Sequence, residues 1–152
     1  MKKTRRAARE LALNILYQAG SCGVPFDEAL ETAKEFVDLT GLRAKNAEKA
    51  DDVRAYADLL ARGVYEHQAE LDSHISRLAQ DWPVDRQPAV DRNILRMAIF
   101  EIDHVDSVPP IVAVDEAVEM AKKFSTAESG KFVNGVLAAY LKEKAAGEEE
   151  IG

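Results

Sequence analysis

Five cations crowd the start of the chain: Lys2, Lys3, Arg5, Arg6 and Arg9, with no acid among the first nine residues. These residues carry +5 in a chain whose net charge is −7, so the remainder carries −12. A guanidinium fork matches phosphate oxygens bidentately and can stack on bases. Neutralising phosphates releases counterions and supplies most of the binding energy to nucleic acid. One basic arm on an otherwise acidic chain therefore points to a polyanion, and the contact must be local. The plainer alternative is that these residues only solvate the chain end.

A second cluster with chemistry is Ser129-Gly130-Lys131-Phe132. It sits where a helix is expected to begin, and the unpaired N–H groups of a helix start attract anions. Gly130 would let a ligand approach the backbone closely. Phe132 falls roughly 90° from the centre of its helix's core face at 100° per residue. A half-exposed phenyl beside a lysine is a surface on which a single-stranded base can stack. Packing at the core edge is the competing explanation for the ring.

Catalytic patterns are missing. The sequence has no Gly-x-Ser-x-Gly elbow, and Gly130-Lys131 does not stand in a Walker loop. His67, Glu70 and His74 could share a helix face with metal-like spacing, but a solvated polar face explains them better. Cys22 and His104 have no evident partner for nucleophilic chemistry. The single cysteine excludes an internal disulfide and a cysteine zinc site. Asp51-Asp52 and Glu148-Glu149-Glu150 read as hydrated charge runs. No cofactor is implied.

The elements that must position the two clusters are helical. A chain of 152 residues, 47% hydrophobic and 31% charged, suits one globular domain with one core. The first helix can start with Thr4 as N-cap. It places Ala8, Leu11, Ala12, Ile15, Leu16 and Ala19 on one face, with Arg5 and Arg9 at its edge and Arg6 further round. Gly20-Ser21-Cys22-Gly23 ends it. A second helix spans 26–39, with Ala29, Leu30, Ala33, Phe36 and Val37 inward and Gly41 closing it. A long amphipathic stretch from 47 to 79 follows, with a break expected between Glu66 and Leu71 because its apolar face shifts there. Pro88 then opens a wide-striped central helix over 89–105. The next helix turns Val114, Ala117, Val118, Ala121 and Phe124 inward. Ser125 to Glu128 has capping-box spacing for the last one. That helix runs to about Lys144 on Val133, Val136, Leu137 and Tyr140. Residues 146–152 read as an acidic flexible tail. No segment alternates with period two, so the expected class is all-α, with six or seven helices. No apolar run approaches the ~20 residues of a membrane span, and no signal core follows the basic start. The expected location is the cytoplasm.

Arg5-Arg6-Ala7-Ala8-Arg9-Glu10 and Ile15-Leu16-Tyr17-Gln18 resemble the NusB family of transcription antitermination factors. The resemblance strengthens over Val90-Asp91-Arg92-Asn93-Ile94-Leu95-Arg96-Met97-Ala98. It continues over Val114-Asp115-Glu116-Ala117 and Ser129-Gly130-Lys131-Phe132-Val133-Asn134-Gly135, all in order and at the family's spacing. It covers nearly the whole chain, although residues 20–80 match mainly in helical pattern. What it implies is two small helical bundles packed together in a single domain over 1–145, with no enzymatic activity. It also implies binding of single-stranded boxA RNA together with NusE, a ribosomal small-subunit protein. These join RNA polymerase and other Nus factors in antitermination, notably over ribosomal RNA operons. Family RNA contacts carry over to Arg6, Arg9, Ser129 and Phe132; Lys2, Lys3, Arg5 and Lys131 join them on charge and position. The family's partner-facing positions match Asp91 and Tyr17. Ala7-Ala8 interrupt the arginine cluster, and Asp115 stands where the family often has Asn.

Two competing readings remain at this level. The same helical module resembles the N-terminal RNA-binding part of a ribosomal RNA cytosine methyltransferase, but no nucleotide-binding βα pattern occurs in this sequence. A helix bundle that binds only proteins would use the basic arm on an acidic partner. Apolar surface reserved for a partner could also serve a homodimer.

Overall fold

The structure, a computed structural model, describes the backbone of residues 2–39 and 47–151 and the side chains of residues 4–37 and 48–147. The described residues form six α-helices: α1 (Lys2–Ser21), α2 (Phe26–Leu39), α3 (Ala47–Leu78), α4 (Ala89–His104), α5 (Pro110–Phe124) and α6 (Ala127–Ile151). One 3-10 turn, Val84–Arg86, lies between α3 and α4, and no strand occurs among the described residues. The all-α expectation holds. None of these helices is long and apolar enough to cross a membrane. The chain divides into two compact units between Glu66 and His67.

In the first unit, α1 contributes Ala8, Ala12, Ile15 and Leu16 to the core, α2 contributes Ala29, Leu30, Ala33 and Val37, and α3 contributes Val53, Ala57, Leu60 and Val64. These are the faces that the helical period marks. The α1–α2 turn needs Gly23, whose φ of 71° is the left-handed conformation that costs glycine nothing. Both Cys22 and Val24 donate their N–H to the Gln18 carbonyl at 3.2 Å, which satisfies a carbonyl at the end of α1. Three expectations are corrected here. Helix α1 already runs from Lys2, so Thr4 lies inside it rather than at its cap. Phe36 is 59% exposed, not inward. Helix α3 is unbroken through Glu66–Leu71, because that stretch holds no Pro or Gly; the apolar face shifts where the division between units falls. Gly41, expected to close α2, lies outside the described residues.

The second unit holds the rest of α3 with α4, α5 and α6. Helix α4 is buried on nearly every face, with Ile94, Leu95, Met97, Ala98, Ile99 and Phe100 enclosed. Its polar residues are therefore enclosed too and need partners. Arg96 donates to both carboxylate oxygens of Asp72 at 2.7 and 2.8 Å and to Asn93 Oδ1 at 2.9 Å. From α5, Val114, Ala117 and Ala121 are buried, but Phe124 is 42% exposed, contrary to expectation. From α6, Val133, Val136, Leu137 and Tyr140 all face the core as expected. Helix α6 continues to Ile151, well past Lys144. Its Lys-Glu-Lys-Ala-Ala run consists of good helix formers with no stop signal before Gly147.

Three side chains of α6, Tyr140, Glu143 and Lys144, tie it to other helices of this unit. Tyr140 donates to Asp103 Oδ2 at 2.6 Å, and Lys144 reaches Asp103 Oδ1 at 2.8 Å. Burial, then the hydrogen bond to Asp103, push the Tyr140 hydroxyl far above its ordinary pKa, so it stays a donor. Arg77 on α3 grips Glu143 with two bonds, of 2.9 and 2.5 Å.

Candidate nucleic-acid interface

The arginines of α1 meet three different environments. Arg6 is exposed. Arg5 is half-buried, its guanidinium carbon 3.9 Å above the ring of Tyr56 on α3. Arg9 is only 4% exposed, with the same ring 6.0 Å away. Tyr56 is itself buried. A cation over an aromatic face is attracted by the ring quadrupole, most strongly when water is excluded. The first turns of α1 therefore present Arg6 outward, fix Arg5 on a ring and enclose Arg9. The side chains of Lys2 and Lys3 lie outside the described residues. Tyr17, one of the two positions matched to the partner, is 39% exposed.

The start of α6 is built by its cap. Thr126 Oγ1 accepts the backbone N–H of Ser129 at 3.0 Å, so the cap runs from Thr126 to Ser129, one residue later than the expected Ser125–Glu128 box. Ser129 is only 6% exposed. Its hydroxyl donates to Asp91 Oδ2 at 2.7 Å, takes a bond from Thr126 Oγ1 at 3.1 Å, and lies 2.9 Å from Ser125 Oγ. Asp91, on the first turn of α4, is fully buried, and its Oδ1 has no hydrogen-bond partner. The two residues assigned to RNA and to a protein partner thus meet each other inside the second unit. No local pattern marks this bond, which joins positions 38 apart.

Lys131 faces outward, and Phe132 lies at the edge of the core. The Lys131 side chain is 77% exposed; Glu128, 3.6 Å away, is 85% exposed and so binds it weakly. Phe132 is half-buried and packs edge-on with Trp82, ring centroids 4.7 Å apart and planes at 69°. Trp82 was not singled out from sequence; as the sole tryptophan, placed directly before Pro83, it was the available signal. The expected role of Gly130 needs correction. A Cβ there would stand 2.9 Å from Lys122 Cγ, so the space above the glycine holds the stem of Lys122 rather than a ligand. Asp115 is exposed.

The histidine spacing does not converge on a metal. His74 Nδ1 lies 3.0 Å from Arg77 Nη2, whereas the ring of His67 stacks obliquely near Phe100 and His104. No group of three metal-binding side chains exists among the described residues. Cys22 is an exposed free thiol.

A family model described as "NusB family" matches residues 6–142, which take in the blocks that carried the resemblance except Arg5 at the head of the first. The transcription antitermination protein NusB of Symbiobacterium thermophilum is 43% identical over 149 residues, covering 97% of this chain and 96% of that protein. The protein of the same name from Kineococcus radiotolerans is 44% identical over 141 residues, covering 91% of this chain and 95% of its own. A solved structure of the antitermination factors NusB and NusE in complex with dsRNA is similar at a TM-score of 0.77 and 31% identity, covering 94% of this chain and 99% of that one. The relatives' names are those of transcription factors, not of enzymes. With most of its length matched and identity above 40% to such relatives, the chain belongs to the NusB family.

Proposed function

We propose that this chain is a cytoplasmic transcription antitermination factor that binds single-stranded boxA RNA together with NusE, a ribosomal small-subunit protein. In this reading it acts within an RNA polymerase complex with other Nus factors, notably on ribosomal RNA transcription. The observation that carries the reading is the likeness, over nearly all of both chains, to NusB in its complex with NusE and dsRNA. The residues support it independently: a basic first helix on an acidic chain, and an exposed lysine next to a half-buried aromatic ring near the start of α6.

The proposed contacts divide by exposure. Arg6 and Lys131, with Arg5, Lys2 and Lys3, hold phosphates, and Phe132 stacks a base. Arg9, Ser129 and Asp91 act from inside, by fixing the helices that carry those groups. Tyr17 offers a half-exposed ring to the protein partner. No bond is made or broken, so function consists of affinity and placement. A homodimer would compete for the partner surface, and sizing the chain with and without NusE separates the two.

The test is a titration of boxA RNA and of a scrambled RNA, each with and without NusE. Tighter binding of boxA, strengthened by NusE, is the expected result. Equal and weak binding of both RNAs refutes the reading and favours a bundle that binds only proteins. Neutralising three to five phosphates gives a log–log salt slope of roughly −2 to −3.5 on single-stranded RNA, and a flat response contradicts the phosphate role.

A further inference from the structure

Trp82 and Phe132 come from distant parts of the sequence and meet at the surface of the second unit. Their rings stand 4.7 Å apart at 69°. In an edge-on pair the edge of one ring meets the face of the other, so the two rings stand at 69° and do not stack over each other. Both residues are half-buried, so the corner they form is anchored yet reachable.

The segment carrying Trp82 is held from several sides. The Trp82 N–H donates to the Ala79 carbonyl at 3.1 Å. The Trp82 carbonyl accepts from Gln87 Nε2 at 2.9 Å, and Gln87 is only 4% exposed. Arg92 Nη1 secures the following turn through the Val84 carbonyl at 3.1 Å. The buried Gln87 and the half-buried Arg92 thus hold the backbone of the connection that carries the ring. Pre-ordered rings lose little entropy when a ligand docks.

We propose that Trp82 is a nucleobase-contacting residue: with Phe132 it forms a two-walled aromatic corner that takes one unpaired base of a single-stranded RNA, beside the exposed Lys131. The inference rests on the RNA-binding reading above and adds a residue to it. A base stacks on one wall while the other wall's edge bounds it. Stacking is tolerant of base identity because every base has a π-face, so the corner contributes affinity and a fixed register more than sequence readout.

The chain has a single tryptophan, so its indole emission reports on Trp82 alone. The experiment follows that emission while a boxA RNA oligonucleotide is added, and in parallel while inorganic polyphosphate is added, which carries phosphates but no bases. Binding is read separately from the anisotropy of end-labelled RNA. The expected result is quenching that tracks the RNA isotherm and is absent with polyphosphate. Trp82→Leu, which removes the ring but keeps apolar bulk, is expected to weaken RNA binding by about 5- to 150-fold. Trp82→Phe is expected to recover part of that loss. RNA that binds with unchanged indole emission, or equal quenching by polyphosphate, overturns the proposal while leaving the RNA-binding reading intact. RNA that does not bind at all overturns both. If circular dichroism shows Trp82→Leu to be misfolded, the RNA-against-polyphosphate comparison on the unaltered chain decides alone.

Discussion

Arg6 and Arg9 stand three residues apart on α1, and the family resemblance assigns both to RNA contact. Their environments differ. Arg6 is exposed, whereas Arg9 is 4% exposed. Replacing Arg6 with Ala removes one solvent-facing cation from an exposed position. If that cation neutralises one phosphate, the log–log salt slope on single-stranded RNA falls in magnitude by about 0.7. At 0.1 M salt that is about 0.7 of a decade, or roughly fivefold in affinity, with a smaller loss of melting temperature than Arg9→Ala causes. Arg9→Ala is a different perturbation. It empties an enclosed site and strands whatever the guanidinium satisfies. Breaking a buried charged contact from one side costs about 3 kcal/mol. For a chain of this length that lowers Tm by about 6–12 °C. Its RNA affinity, counted per folded molecule, is expected to keep the wild-type salt slope. Thermal unfolding by circular dichroism and RNA anisotropy at several salt concentrations measure both quantities on the same samples. An Arg9→Ala protein with the wild-type Tm and a salt slope reduced like that of Arg6→Ala refutes the division.

Removing one partner of the Arg96–Asp72 pair should be unequal in cost. Asp72→Ala leaves the guanidinium, 10% exposed, without its carboxylate and is expected to cost about 3 kcal/mol; Arg96→Met leaves an aspartate, 27% exposed, that water can reach and should cost about half as much in chemical denaturation. The reverse order would show that the pair is not limited by the buried cation. Glu143 provides a pH test, since its hydrogen bond to Arg77 holds its carboxyl below the usual glutamate range. A depressed carboxylate contributes stability that is complete above its unfolded pKa and is lost as pH falls through its folded one. Glu143→Gln is therefore expected to lower Tm at neutral pH, with the difference from wild type closing below about pH 4; a difference constant down to pH 2 would assign the effect to packing. Tyr56→Leu keeps apolar bulk but removes the ring under Arg5, and about 1 kcal/mol of stability is expected to go with it. No loss on thermal melting would mean that the Arg5 guanidinium gains nothing from the ring.

The helices were legible because helical periodicity is a local property. Phe26–Leu39 and Ala89–His104 fall within a residue of their expected bounds. The misplaced side chains share a cause. Phe36 and Phe124 lie in the last turns of α2 and α5, and both are exposed. Angular arithmetic tells which face a residue is on, but not whether a neighbouring helix reaches that far along it. The break expected in α3 is a related error. A rotation of the apolar stripe was read as a change of helix, whereas the helix is continuous and the division between units falls there. Tertiary pairings were illegible for a stronger reason: the Trp82–Phe132 contact and the Asp91–Ser129 bond each join distant segments, and neither leaves a local pattern.

Asp91 shows what a resemblance can and cannot carry. Matching a motif transfers a position along the chain, and at that position the acidic residue was expected to face a protein partner. In this fold it sits on the first turn of α4, whose N-cap, Pro88, makes no side-chain hydrogen bond. A carboxylate there is favoured by the helix dipole. Its Oδ2 reaches Ser129 at the first turn of α6. Lys131 and Phe132 follow within three residues on the same helix. The Asp91 bond to Ser129 therefore ties down the start of the helix that carries the exposed Lys131 and the half-buried Phe132, without the carboxylate being exposed itself. A substitution at Asp91 that weakened binding of either macromolecule would not locate a contact. It would report that the start of α6 had moved, and Ser129→Ala, which removes the same bond from the other side, should reproduce its effect on RNA.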